Sequence, residues 1–396
     1  FDASLYIQLP RIELLDLLPA RQLGAVRPTT MDVSGEFWLT YDRDGFELLG
    51  LTSTDTMAAQ VNGQVVPLFK DLQTKFALVR HNQQELQLYF AELDAEVAGK
   101  RLALDGLTLL RRQLNDDITV GLTLPRLSIS AVADGLQELG EATGLLPLGV
   151  LNALQEMQPA GELGQIHASI EHSATVPDIK LVARLDGISL APAGGIPGIS
   201  RLDGLVSLGP AQGFVDMHNT APFNLDFAAM FAKPWSFDTA HARLQYTLDA
   251  DGLAVSSGLI NVTEGQLVAA GRVQLRLPAD RAEHTWGLEV GLRHADLRDA
   301  NRYLPEVLTP ALRQWLGNAI LAGNAREGGL LFHGALFRGA PRIRKVHELY
   351  FDVAETRLQY DPAWPVLNDI AATVYINNSV VESEAATATL LASQVS

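Results

Sequence analysis

The sequence predicts a mainly β protein built from antiparallel strands. Through much of the chain, apolar residues alternate with polar ones, as they do over 240–248 and 286–292. Strands of this kind bury one face and expose the other, which is typical of an antiparallel sheet. Helical patterns are few, and short sequence patterns recur along the chain. These three observations favour an extended β array over a compact enzyme domain.

The clearest recurring pattern is a proline followed by apolar residues two, five and nine positions later. Its copies are Pro67-Phe69-Leu72-Phe76, Pro197-Ile199-Leu202-Val206 and Pro365-Leu367-Ile370-Val374. Repeats of this kind indicate units that stack on their neighbours to form one continuous elongated body. We predict three units, which are 1–117, 118–285 with a helical insertion at about 130–158, and 286–396 with helices at about 296–322.

Local signals place a few helices and turns. The clearest helix is predicted to begin with Thr309 as its N-cap and Pro310 in its first turn, and to end at Gly323. The dipeptides Asp186-Gly187 and Asp251-Gly252 predict tight turns. Such short helices cannot cover so many strands. The sheet must therefore pack on another sheet, close into a barrel, or curl around something apolar.

Composition excludes several classes of function. The chain has 46 acidic and 30 basic residues, a formal charge of −16, so it offers no electrostatic footprint for nucleic acid. It has no cysteine, which removes disulfides, thiolate metal sites and cysteine nucleophiles. The sequence contains no run of about 18 apolar residues, the length that would predict a membrane span. Because a strand-like run follows Phe1 directly, we expect a piece of a longer protein, with any targeting segment left out.

The chemistry-bearing residues form no recognisable catalytic or metal motif. The nine histidines are scattered, and no Gly-x-Ser-x-Gly, phosphate loop or dinucleotide fingerprint occurs. We therefore predict no enzymatic activity, no metal and no cofactor.

Apolar residues on one side of the alternating strands are the candidates for lining a hydrophobic groove. They are Leu86, Leu88, Phe90, Val120, Leu122, Leu181, Leu244, Tyr246, Leu248, Val273, Leu275, Trp286, Leu288, Val290 and Leu292.

Three segments together resemble the YhdP family of AsmA-like proteins from Gram-negative bacteria. The first runs from Asp299 through Tyr303-Leu304-Pro305 to Leu312-Arg313-Gln314-Trp315-Leu316, and the second is Leu358 to Trp364-Pro365. The third is a Leu-Asp-Gly triplet, taken as a strand start, at Leu104, Leu185 and Leu202. We interpret the motif residues as structural; they are Tyr303, Leu304, Pro305, Trp315, Leu316, Trp364 and Pro365.

The resemblance implies a fold, a place and a role. The implied fold is an elongated, strongly twisted antiparallel β-sheet curled into a hydrophobic groove. The implied place is the periplasm, with an inner-membrane anchor supplied by an N-terminal helix absent here, so that this chain is a middle fragment. The implied role is to move phospholipids between the inner and outer membranes, as bridge-like lipid transfer proteins do. An outer-membrane or periplasmic protein partner is a further implication, and the family supplies no catalytic residues.

Other functions remain open. Alternation fits a packed β scaffold with a dry core as well as it fits a groove, and the resemblance to AsmA-like proteins adds a helper for outer-membrane protein assembly. A hydrolase on a β-solenoid has less support, because no acid pair or nucleophile stands out.

Overall fold

A computed structural model confirms the mainly β, antiparallel class. The 23 strands pair antiparallel throughout the described residues. Those residues are 2–16, 26–43, 45–61, 63–82, 84–97, 99–114, 117–143, 148–172, 177–194, 196–228, 230–306, 308–335, 345–378, 380–391 and 393–395.

The chain divides into two compact units. Unit 1 comprises Phe1–Ala191 and Val206–Pro210, and unit 2 comprises Pro192–Leu205 and Ala211–Ser396. The division into three repeats concerns sequence periodicity, and it stays a prediction.

Unit 1 is a meander in which each strand pairs with the next one along the chain. Its strands are β1 (Ala3–Glu13), β2 (Val26–Tyr41), β3 (Phe46–Val61), β4 (Gln64–Asn82), β5 (Glu85–Val97), β6 (Lys100–Leu114), β7 (Asp117–Ser128), β8 (Ala160–His172) and β9 (Pro177–Leu190). A 3₁₀ helix follows β1 (Leu14–Asp16), and the predicted helical insertion is formed by α1 (Ile129–Thr143) and α2 (Leu148–Met157).

Unit 2 combines short strands with a second long meander. The strands that carry its residues are β10 (Gly198–Leu208), β11 (Gln212–Asn219), β12 (Phe223–Asp226), β13 (Trp235–Phe237), β14 (Thr239–Asp249), β15 (Gly252–Ser257), β16 (Ile260–Glu264), β17 (Leu267–Leu277), β18 (Thr285–Asp296), β19 (Ile320–Ala335), β20 (Val346–Leu358), β21 (Leu367–Asn377), β22 (Val380–Leu390) and β23 (Ser393–Val395). From β17 onward each strand pairs with its successor. Two 3₁₀ helices (Arg281–Glu283 and Leu297–Tyr303) and α3 (Pro310–Ala319) complete it.

The recurring proline pattern encodes a β-bulge. Four residues after each proline, the chain has a positive φ: 47° at Asp71, 61° at Arg201 and 51° at Asp369. Pairing with the next strand shifts at Asp71 and at Asp369. A bulge inserts one residue, so the apolar side chains on one face become separated by an odd step. In the pattern, the apolar residues two and five positions after the proline are three residues apart, and this odd step reflects the inserted residue.

A buried amide satisfies the bulge at Arg201. The fully buried Asn219 side chain donates through Nδ2 to the Arg201 carbonyl at 2.6 Å, and its Oδ1 accepts from the Asp203 N–H at 3.1 Å. Backbone groups that leave the ladder need a partner when they are buried, and this amide supplies it.

The Leu-Asp-Gly triplets are not strand starts, and that prediction is wrong. They lie inside β6, β9 and β10, where Gly106 and Gly187 have φ values of 74° and 62°. The turn predicted at Asp186-Gly187 is wrong for the same reason, because a glycine with positive φ inside a strand marks a bulge. The turn at Asp251-Gly252 is confirmed, since β14 and β15 pair through Asp249 and Gly252.

The helix predicted from Thr309 begins as expected and ends earlier. The Thr309 hydroxyl accepts from the Leu312 N–H at 3.3 Å, which caps α3. The backbone of Ile320 is already extended, so α3 ends at Ala319 and Gly323 lies within β19. A Cβ at Gly323 would stand 2.9 Å from the Thr356 Cα, so this glycine allows two strands to approach closely.

Each unit has buried side chains of its own. In unit 1, Ala58, Ala59, Val61 and Ala95 are among them, and α1 packs against β4, β6, β7 and β8. In unit 2, Phe223 is fully buried and its ring lies 5.6 Å from that of Phe237.

Glycine should be tolerated better than valine at position 369, whereas valine should be tolerated better than glycine at position 373 in the same strand, as judged by the free energy of unfolding. A left-handed backbone costs a β-branched residue about 1–2 kcal/mol, so Asp369→Val should destabilise by that amount and Asp369→Gly should not. At Thr373, which pairs regularly with Asp352 of β20 and begins the regular stretch of pairing with β22, valine should be tolerated and glycine should cost about 0.5–1 kcal/mol. Denaturant unfolding of the four variants measures this, and the same order of preference at both positions would contradict the bulge.

Candidate functional site

A continuous row of apolar side chains crosses all nine strands of unit 1. Cross-strand partners in an antiparallel sheet point to the same face, so the pairing register identifies the row directly. We call it the unit 1 row, and its members in strand order from β1 to β9 are Leu5, Leu39, Leu48, Leu78, Leu88, Leu109, Leu122, Ala168 and Leu181.

A second apolar row lies beside it on the same face. Its members are Ile7, Phe37, Gly50, Phe76, Phe90 and Leu107. The Phe76 ring lies 6.4 Å from Phe37 and 6.3 Å from Phe90. A Cβ at Gly50 would stand 2.3 Å from the Phe76 ring, so the missing side chain is what gives that ring its space.

The unit 1 row is not covered as a packed core would be. None of its side chains is fully buried; most are half-buried, and Leu5 is 53% exposed. The interior side chains of a packed sheet are normally close-packed and out of contact with water. This face therefore combines a core-like composition with solvent access.

The opposite face of unit 1 carries ion pairs beside exposed apolar residues such as Leu49 and Leu51. Lys75 pairs with Glu92 at 2.7 Å and Arg112 with Glu85 at 3.1 Å. Exposed pairs such as these contribute little to stability, but they keep that face wet and charged.

Unit 2 carries its own apolar row over seven strands. The unit 2 row, from β16 to β22, is Ile260, Gly271, Val290, Leu330, Leu349, Ile376 and Val381. On the same face, the rings of Trp286 and Phe332 lie 4.5 Å apart. Residues of the opposite face, such as Arg272 and Glu289, are exposed.

The residues predicted to line a groove fall on these two faces. Leu88, Leu122 and Leu181 belong to the unit 1 row, and Leu86, Phe90 and Val120 lie one row away on the same face. In unit 2, one face carries Leu244, Tyr246, Leu248, Val273, Leu275, Trp286, Leu288, Val290 and Leu292. Shared placement is a geometric fact; contact with lipid stays a prediction.

Sequence reasoning missed six of the nine members of the unit 1 row and six of the seven members of the unit 2 row. It overlooked Leu39, Leu48 and Leu78 in unit 1, and Leu330 and Leu349 in unit 2. Several of them have a large apolar neighbour along the chain, such as Trp38 before Leu39 and Leu49 after Leu48, so alternation alone does not show which of the two faces the row. The register that joins the strands into a row needs the structure.

Neither a metal cluster nor a membrane-spanning helix occurs where the structure describes the chain. No three histidine, aspartate or glutamate side chains in those segments gather closely enough to hold an ion. None of the helices there has the length and apolar character needed to cross a bilayer.

The family model of the YhdP protein matches residues 1–396. The chain belongs to the YhdP family. No curated protein and no solved structure matches it. Membership confirms the predicted resemblance and assigns the chain to a family of Gram-negative envelope proteins whose type is non-enzymatic transport.

One of the YhdP-type motif residues anchors a polar contact inside unit 2. The Tyr303 hydroxyl donates to Glu264 Oε2 at 2.6 Å, and Arg302 Nη1 donates to Glu264 Oε1 at 2.6 Å. Burial, followed by the hydrogen bond to Glu264, raises the pKa of Tyr303 above its ordinary value. Its ring also lies 5.4 Å from that of Trp235, which contacts Phe231.

The other motif residues differ in exposure. The Trp315 indole donates to the Tyr360 carbonyl at 2.9 Å, so it ties α3 to the segment after β20. Trp364 is 66% exposed and stands apart from any core. Leu304, Pro305 and Leu316 are half-buried, and Pro365 is exposed. The structural role assigned to the motif stays a prediction.

Replacing Tyr303 by phenylalanine should cost about 1–3 kcal/mol near neutral pH, because a hydrogen bond to a carboxylate is lost. A raised phenol pKa adds stability that is complete below about pH 10 and is lost as the pH rises towards the folded-state value. The gap between the wild type and Tyr303→Phe should therefore narrow from pH 9 to pH 11. Denaturant unfolding across that range measures the gap, and a constant gap would contradict the assigned cause.

Proposed function

We propose that this YhdP-family chain conducts phospholipid between the inner and outer membranes along its apolar faces, without catalysis. The unit 1 row is the observation that carries the proposal. It is an apolar stripe across nine strands whose side chains remain half-exposed. The unit 2 row supports it independently.

The energetics favour acyl chains as the occupant. Each CH₂ group exposed to water costs about 0.8 kcal/mol, so a tail of roughly 16 carbons costs about 13 kcal/mol. A stripe of leucines removes most of that cost. Since successive members of the unit 1 row are alike, no position holds a chain much more strongly than its neighbour, and lipid can slide.

The cellular setting completes the proposal. The body lies in the periplasm and is anchored to the inner membrane, with an outer-membrane or periplasmic protein as a further partner. The acidic exterior, with a formal charge of −16, opposes adsorption to anionic membranes along the body.

Photocrosslinking tests the proposal with matched neighbours. A photoreactive residue at Leu288 or Leu88 should form lipid adducts, whereas one at Glu289 or Gln87, on the opposite face, should form few. Mass spectrometry of the purified protein counts the adducts. Equal labelling at both members of each pair would contradict the proposal. Absence of adducts at all four positions would favour a scaffold with a dry core.

A charge in the apolar face should block transport with little loss of folding. Leu288 is half-buried, so Leu288→Asp should remain folded and place a carboxylate, costly to desolvate, in the path of acyl chains. Gln274→Asp, on the exposed face of β17, is the matched control. Lipid transfer measured in cells depleted of other routes should fail for the first variant alone. Unchanged transfer in Leu288→Asp would place the path elsewhere.

A further inference from the structure

Two arginines stand on the apolar face of unit 1. Arg80 in β4 and Arg111 in β6 are both register partners of Leu86 in β5. Each lies two residues along its strand from a member of the unit 1 row, Leu78 or Leu109, so each side chain leaves the sheet on that same face.

Neither arginine has a carboxylate partner among the described residues. Arg80 Nε donates to the Asn82 carbonyl at 3.2 Å, and Arg111 Nη2 donates to Gln113 Oε1 at 2.7 Å. Arg112, the next residue on β6, points to the other face and pairs with Glu85. The polar face thus supplies counter-charges to its cations, and the apolar face does not.

The register explains why no carboxylate is near. The row that contains the arginines is Ala3, Tyr41, Phe46, Arg80, Leu86, Arg111, Val120, Ile170 and Ile179. It contains no acidic residue. The unit 1 row and the second apolar row beside it, which includes Phe37, Phe76 and Phe90, contain none either. The unit 2 row and its flanking rows contain no lysine or arginine.

When an apolar ligand covers the stripe, a neighbouring cation loses water. That desolvation is costly unless the ligand also brings an anion to pair with the cation. With 46 acidic residues available, a counter-charge from the chain itself would have been easy to place. A ligand that carries its own negative group next to its apolar part removes the cost. Guanidinium groups suit phosphate particularly well, because their planar donors match its oxygens in pairs.

We propose that Arg80 and Arg111 hold the headgroup phosphate of a phospholipid whose acyl chains lie on the unit 1 row. This rests on the function proposed above and deepens it. One strand separates β4 from β6, so the two backbones are about 10 Å apart and the long side chains reach the phosphate from both sides. The headgroup then stays at the rim of the apolar face, within reach of water.

The test compares two lipids with identical acyl chains, phosphatidylglycerol and diacylglycerol. Purified protein is loaded with an equal mixture and the retained lipid is measured by mass spectrometry. The wild type should retain phosphatidylglycerol at least about tenfold over diacylglycerol. Arg80→Gln with Arg111→Gln should bring the ratio close to one without lowering diacylglycerol retention. Arg80→Lys with Arg111→Lys should keep part of the preference, and Arg112→Gln should leave it unchanged.

The outcomes separate the two proposals. Equal retention of both lipids by the wild type, or an unchanged preference in the double glutamine variant, overturns the arginine assignment and leaves transport standing. Retention of neither lipid by folded wild type overturns transport. Glycerol phosphate, added in excess as a soluble competitor, should not displace the lipid; displacement would assign the arginines to free phosphate esters instead.

Discussion

The register between neighbouring strands is the constraint on which the apolar faces depend. Side chains alternate with a period of two, so a slip of one residue between β4 and β5 would turn Leu88 to the wet side and break the unit 1 row. One face of unit 1 carries the unit 1 row, and the other carries ion pairs such as Lys75–Glu92 beside exposed apolar residues such as Leu51. The unit 1 row has no charged member, so the register decides which side chains meet.

The bulges reconcile this register with bending. A flat sheet with one half-exposed apolar face would invite stacking, whereas a bulge bends the strand and increases its twist. Asp71 and Asp369 achieve this with a left-handed residue, and Gly187 achieves it with glycine. Each bulge also reverses the parity of the strand beyond it. Alternation read straight through a bulge would therefore assign the wrong face.

The sequence therefore predicted the strands and the shared face of the groove candidates, but not the bulges or the close approach of strands. Alternation located the strands and selected fifteen groove candidates that share one face within each unit. Contact of that face with lipid stays a prediction. The proline repeat was visible in the sequence, but its step of three did not identify a bulge. The bulge is revealed by the positive φ of the residue four positions after each proline. Gly323 shows the same limit: a glycine after a helical stripe predicts a helix end, yet here strand-to-strand approach at Thr356 requires it.

The arginines on the apolar face were invisible to sequence for a related reason. Within β6, Arg111 and Arg112 are adjacent and chemically identical, and only the register separates one facing leucines from one facing Glu85. A uniform apolar stripe lets acyl chains slide but cannot orient an amphiphile, since both ends of a tail meet the same surface. Two cations at the rim of unit 1 break that symmetry. Unit 2 has none on the corresponding rows, so headgroup contact would be a property of one unit, while acyl contact is common to both.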